Sequence, residues 1–388
     1  MPYRFDSLPS RRIPHTTNKW SLYSKDVIPM WIADMDIPTA PQIIAALRKQ
    51  VEQGVLGYEL LSKHLLETIA ARMKKLYGWE VDPESIVYTA GVNNGYNIAA
   101  RVLCSSERGY LIQTPVYNEF HETHEKTGLP QVVSPLVIRT EGRRIRYEVD
   151  YDDFRMQTQR AAMFLLCHPH NPVGHIFTEP ELRRMAEICI ENNVTIVSDQ
   201  IHCELLLGDA GFTPLAVLSP EIEERTITFI SASKAFNVPG LSCAFAVIPN
   251  AELRKRFFET AHGMSFEISS TGLTAAYIAY SGRADAWLRA LRRHLTSNRD
   301  YLLKYLDENM PGVRVTRPEA TYLAWLDCSE LNLKPTPQQF FHNQAGVVLS
   351  PGEKFGKEAG SFVRLNFGTS RSILAKGLKR MSNALAEK

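Results

Sequence analysis

Between about residues 85 and 250, six short apolar, β-branched runs alternate with amphipathic stretches. The runs are "SIVYTA", "GYLIQ", "AMFLLC", "VTIVSD", "TITFIS" and "CAFAVI". A strand that is apolar on both faces must be covered on both faces, and parallel strands need crossovers long enough for helices. The stretches "NNGYNIAARVL" and "EPELRRMAEICIENN" supply such crossovers at helical spacing. The pattern therefore predicts an α/β chain with a largely parallel sheet between helices. A helix is expected to open at Pro41, with Ile44, Leu47 and Val51 on one face and Gly54 ending it. From about residue 277 a second, smaller α+β unit follows. It runs through the long helical "ADAWLRALRRHLTSNRDYLLKYLDENM", the strand-like "ATYLAWLD" and "FVRLNF", and a closing helix. The expected division is a large domain over 41–276, with 1–40 and 277–388 forming the N-terminal segment and small domain.

Bulk properties exclude several classes. The 388 residues carry a formal net charge of +2, which predicts no nucleic-acid or acidic-membrane partner. No apolar run approaches the ~20 residues of a membrane span, and the N-terminus has no signal-peptide core. The 6 cysteines lack CxxC spacing and sit mostly in apolar runs, which predicts reduced thiols in the cytoplasm. "EGRRIRYEV" (141–149) reads as a solvated strand or hairpin. In "HETHE", His121 and His124 are three residues apart rather than four, so a solvated helix face is expected and no metal site.

The chemistry gathers where strands end. In parallel sheets, ligands collect beyond the carboxyl ends of strands. Asn171 follows "AMFLLC" in "HPHNPVG", Asp199 closes "VTIVSD", and Lys234 follows "TITFIS" in "SASKAF". A lysine at the end of a core strand is costly to desolvate unless its amine is used. An amine, a carboxylate and an amide at successive strand ends suit pyridoxal 5'-phosphate, which needs an imine-forming lysine and a carboxylate on its ring nitrogen. Asn171 can donate to the ring's phenolic oxygen, and Ser231 and Ser233 to the phosphate. A second phosphate cradle is expected at "TAGVNNGYN", where Gly91, Val92 and Asn93 open a helix. Tyr117, in "TPVYNEF", can stack on the ring.

The ordered set "AGVNNG", "PVY", "NPVG", "SDQIH", "SASK" and "RLNFGTSR" resembles fold-type I pyridoxal phosphate enzymes of the class I/II aminotransferase superfamily. The resemblance spans nearly the whole chain. It implies a seven-stranded, mainly parallel large-domain sheet with a smaller C-terminal domain. It implies that Lys234 carries the cofactor as a Schiff base, that Asp199 binds the pyridinium, and that Arg364 grips the substrate α-carboxylate. Many class I aminotransferases have an arginine eight residues after that lysine and a tyrosine three after that aspartate. Here those positions are Ser242 and His202, and the resemblance implies that His202 is a cofactor-binding residue. With "MWIADMDIP", "GYELLS" and "ATYLAWLD", the chain is similar to the MalY/PatB branch, the cystathionine β-lyase-type carbon–sulfur lyases. Gln200 departs from the glutamate usual in that branch.

That likeness implies a β-elimination. Lys234, freed by the incoming amino acid, takes the α-proton; a β-thiolate leaves, and pyruvate and ammonia follow. It also implies a homodimer in which Tyr58 reaches the neighbour's cofactor phosphate, a substrate entrance with Trp31, Ala33 and Asp34 as candidates, and Tyr322 bordering the small-domain side of the pocket. Two other functions stay open from sequence: an aminotransferase, and a regulator that binds a transcription activator, alone or alongside lyase activity.

Overall fold

The computed structural model describes residues 3–13, 16–264 and 267–388. Its larger sheet has seven strands. Their spatial order is Ile86–Thr89, Ala244–Val247, Thr226–Ile230, Thr195–Asp199, Ala161–Cys167, Gly109–Ile112 and Gln131–Val133. All neighbours run parallel except Ala244–Val247, which is antiparallel to both of its partners. The six expected runs are all strands; the short Gln131–Val133 edge, with only one apolar-rich turn of pattern, is an addition. The three strands that precede Asn171, Asp199 and Lys234 lie side by side, so their carboxyl ends open onto one place.

Helix Val92–Leu103 covers one face of this sheet. Gly95 makes its approach possible, since a Cβ there would stand 2.2 Å from the Phe229 ring. Phe229 is fully buried, which contributes about 1.5–3 kcal/mol. The close seat brings the amino end of the helix to the strand ends.

A second sheet of six strands has the order Ser350–Pro351, Phe362–Asn366, Leu323–Asp327, Arg314–Thr316, Arg144–Glu148 and Val137–Glu141. The strand or hairpin expected at "EGRRIRYEV" forms as the hairpin 137–148, but it is not solvated throughout: Ile145 and Tyr147 are buried, because it extends the sheet of the C-terminal part through a parallel pairing with Arg314–Thr316. The helix Ser270–Tyr280 runs across position 276/277, and Asp285–Asn309 forms the long helix read from the sequence.

Helix Pro41–Glu52 opens as expected, but its apolar stripe is not the buried one. Ile43 is buried, whereas Ile44 and Val51 are exposed. On the helix Asn118–Thr127, His124 is exposed, while half-buried His121 lies 3.2 Å from the Phe355 carbonyl. Among the described residues no His, Cys, Asp and Glu cluster could hold a metal ion. All six cysteines are unpaired, and five are buried. No described helix is long and apolar enough to cross a membrane.

Candidate active site

One cavity of about 260 Å³ lies beyond the three neighbouring strand ends. Lys234, Asp199, Asn171, His202, Tyr117, Gly91, Val92, Asn93, Ser231, Ser233 and Ala33 all line it. Arg364 and Tyr322 stand just behind this wall and are tied to it by hydrogen bonds. Tyr58 is not brought to the cavity of its own chain: it is 89% exposed.

Lys234 sits on the single turn Ala232–Ala235 that follows strand Thr226–Ile230. Its amine donates to the Ala33 carbonyl at 2.7 Å. Burial, then the positive charge of Arg364, pushes this amine down to about 8, against the opposing pull of Asp34 and Asp199. Asp199 is buried and accepts from the Ile201 N–H at 3.0 Å. Burial pushes its carboxyl up to about 6, although that N–H and Lys234 act the other way. Burial, aided by the charges of Lys234 and Arg364, holds the His202 imidazole well below its usual range, so it stays neutral.

Arg364 comes from strand Phe362–Asn366 of the second sheet. Nη1 donates to Asn171 Oδ1 at 3.0 Å; Nη2 donates to the Trp31 carbonyl at 3.0 Å and the Ser350 hydroxyl at 3.3 Å. The guanidinium also stacks on Phe355 at 4.7 Å. Burial pushes it down to about 10, against the pull of Tyr117 and Tyr322, so it remains charged. The Tyr322 hydroxyl donates to the Ala33 carbonyl at 2.8 Å, and its ring meets His202 edge-on.

The entrance segment acts through its backbone. Ala33 contributes a carbonyl shared by Lys234 and Tyr322. Trp31 contributes a carbonyl, and the Asp34 side chain pairs with Arg11 at 2.7 Å and Lys19 at 3.0 Å.

The residues fit pyridoxal phosphate. Helix Val92–Leu103 has Gly91 as its N-cap and so no capping side chain, which leaves its first N–H groups open to an anion at the cavity. The Tyr117 hydroxyl accepts from Asn93 at 3.4 Å, fixing the ring on the cavity wall. Arg364 Nε and His202 Nδ1 are buried without a hydrogen-bond partner among the described residues. Such groups are costly to bury unless a ligand pairs them. The Ser231 hydroxyl is shared between the Cys243 carbonyl at 2.7 Å and Ser233 at 2.8 Å. Of the two serines, Ser233 is therefore the better placed to serve a phosphate.

Several participants escaped the sequence reading. Cys167 and Cys243 line the cavity, and Ser350, Asn366 and Asn237 hold the entrance segment. Asn366 had a usable signal, since residues two apart in a strand share a face and it follows Arg364 at that spacing.

An α/β chain that presents a lysine amine, a strand-end carboxylate and a buried arginine to one cavity has the fold-type I aminotransferase architecture. The chain belongs to the aminotransferase class I and II family, whose model matches residues 25–381. It is similar to the cystathionine β-lyase PatB of Bacillus subtilis, with 32% identity over 365 residues covering 93% of each chain. The PLP-bound C–S lyase from Staphylococcus hominis has a TM-score of 0.91 at 31% identity, covering 99% of this chain and 98% of that one. A PLP-bound putative aminotransferase from Clostridium difficile 630 has a TM-score of 0.93 at 31% identity, covering 99% and 100%.

Proposed function

We propose that the protein is a pyridoxal phosphate-dependent carbon–sulfur β-lyase acting on L-cystathionine or related S-substituted cysteines. The observation that carries this reading is the convergence of Lys234, Asp199 and the Asn171–Arg364 pair on one cavity with Ser242, not an arginine, in its wall. The names of the B. subtilis and S. hominis relatives point the same way.

When bound, the cofactor supplies an imine to the substrate nitrogen and a sink for its electrons. Lys234 would attach it, Asp199 would hold its ring nitrogen, and Asn171 would hold its phenolic oxygen. Tyr117 would cover the ring, while Ser233 and the first turn of helix Val92–Leu103 would take the phosphate. Arg364, with Nε still unpaired, takes the substrate α-carboxylate and so aims the α-carbon at Lys234. The Lys234 amine would take the α-proton; lowered by burial, it can be neutral near physiological pH. The Cβ–S bond then breaks with both electrons leaving on sulfur, and water completes the products pyruvate and ammonia.

The working unit is a homodimer. Ile44, Val51, Val55, Leu56, Tyr58 and Leu60 form an exposed apolar run along helix Pro41–Glu52 and the segment after it. A second copy would cover it and bring Tyr58 to the neighbouring phosphate. The unpaired cysteines accord with the cytoplasm.

The test is pyruvate release from L-cystathionine by cofactor-loaded protein with no oxo acid present. Pyruvate and thiol formed in step, and abolished by Lys234→Ala, are expected. Amino transfer that requires an added oxo acid, without pyruvate release, would make the protein an aminotransferase instead.

A further inference from the structure

The carbonyl under the Lys234 amine belongs to a strap, residues 31–37, which lines the cavity through Ala33 and is bonded both to the second sheet and to the lysine's turn. Its first half is fixed from the second sheet: Arg364 and Ser350 bind the Trp31 carbonyl, and Asn366 binds those of Ile32 and Asp34. Its second half is held by the Gly368 carbonyl on the Asp36 N–H and by Arg11, Trp20 and Lys19 around Met35 and Asp36, and one side chain ties it to the lysine's own turn. Asn237 Oδ1 accepts from Met35 N–H at 3.1 Å, while Nδ2 donates to the Met35 carbonyl at 3.0 Å and the Ile37 carbonyl at 2.7 Å. The Thr39 hydroxyl adds a bond to the Asn237 carbonyl at 2.9 Å.

Asn237 adopts φ +54°, a left-handed conformation that few side chains tolerate. It lies three residues after Lys234 on one tight turn, so its distance from the lysine backbone is fixed. Without it, the strap around the Ala33 carbonyl would be referenced to the second sheet and to Arg11, Lys19 and Trp20 of the N-terminal segment, with no side chain from the lysine's turn fixing Met35 and Ile37. Any movement between the sheets would then alter what the amine meets.

We propose that Asn237 is a positioning residue. By tying Met35 and Ile37 to the turn that carries Lys234, it holds the Ala33 carbonyl at the lysine amine and so sets how readily that amine exchanges its proton. This rests on the reading of Lys234 as the cofactor-bearing lysine. The charges facing the amine are Asp34 on the strap, Asp199 on strand Thr195–Asp199 and Arg364 on strand Phe362–Asn366. Tyr322 shares its carbonyl acceptor, and His202, Tyr117, Cys167 and Cys243 are the other titratable groups on the cavity wall. A carbonyl acceptor favours the ammonium form; losing it should make the amine easier to deprotonate.

The experiment is competitive acylation of Lys234 in cofactor-free protein from pH 6 to 10, read by peptide mass spectrometry. Asn237→Gly removes the amide bonds while glycine accepts the positive φ. The labelling midpoint is expected to fall by about 0.5 to 1 pH unit. Thr39→Val, which removes only the bond to the Asn237 carbonyl, should leave it in place. An unmoved midpoint in Asn237→Gly with an unchanged circular dichroism spectrum, or an equal shift in Thr39→Val, overturns the assignment. Labelling needs neither cofactor nor substrate. A shifted midpoint in a protein that releases no pyruvate would therefore sink the lyase reading and leave this one standing.

Discussion

Arg364 arrives at the cavity with its fork already half committed. Two nitrogens hold Asn171, the Trp31 carbonyl and Ser350, and the third is buried without a partner. Arg364→Lys would keep a charge but could not span those partners and a carboxylate together. It should lower kcat/KM by about 10²-fold, mostly through KM, since the lost contact is to a carboxylate that reaction leaves unchanged. Steady-state kinetics checks this, and an unchanged KM would remove Arg364 from the substrate. Lys234 makes a second prediction, because only a neutral amine attacks an aldehyde. Its amine stands near 8 through burial. Cofactor loading of the empty protein, followed by absorbance, should therefore speed about tenfold per pH unit up to that value and level off above it. At this scale sequence was informative about Lys234, Asp199 and Asn171, because each stands at or within four residues of the end of an apolar run. It was silent about Asn237 and Ser350, whose contacts cross 202 and 319 residues of chain.

Elements meet at places that pattern alone cannot locate, and His175 shows one. It follows the "NPVG" turn and lies 3.0 Å from Glu319, just before the second sheet's strand Leu323–Asp327, and 3.7 Å from Glu181 in helix Glu179–Glu191. Burial presses its imidazolium down, but the two carboxylates, Glu181 at 3.7 Å and the hydrogen-bonded Glu319 at 3.0 Å, overcome this and lift it to about 9. A group raised in the folded state stabilises fully below its unfolded value, and that contribution fades as pH rises through the folded one. Denaturant unfolding of the wild type should thus weaken between pH 7 and 10, and His175→Gln should flatten this decline. An identical decline in the variant would show that other groups cause it. The helix Pro41–Glu52 teaches the converse. Its 3.6-residue spacing named a face, yet periodicity cannot say whether that face meets the chain's own core; Ile44 and Val51 are exposed.

The whole molecule is where the exposed run through Tyr58 acquires meaning. If a second copy covers it, Val51→Glu together with Leu56→Glu should give a monomer by sedimentation, with weakened cofactor retention. Chains carrying Tyr58→Ala or Lys234→Ala, each inactive alone, should regain activity when co-assembled, because one site of each hybrid keeps both residues. Failure to regain it would return Tyr58 to a packing or solvent role. The strand runs, their crossovers and the order of residues at strand ends were determined by sequence alone, since burial on both faces dictates composition locally. The tertiary structure decided what depends on distant segments sharing one space. It joined the hairpin at 137–148 to the second sheet, gave Ala33 its role as a carbonyl rather than a side chain, and clamped the strap between Asn237 and Asn366. The physical reason is that a backbone carbonyl carries no side-chain signature, so its partners exist only once the chain has folded.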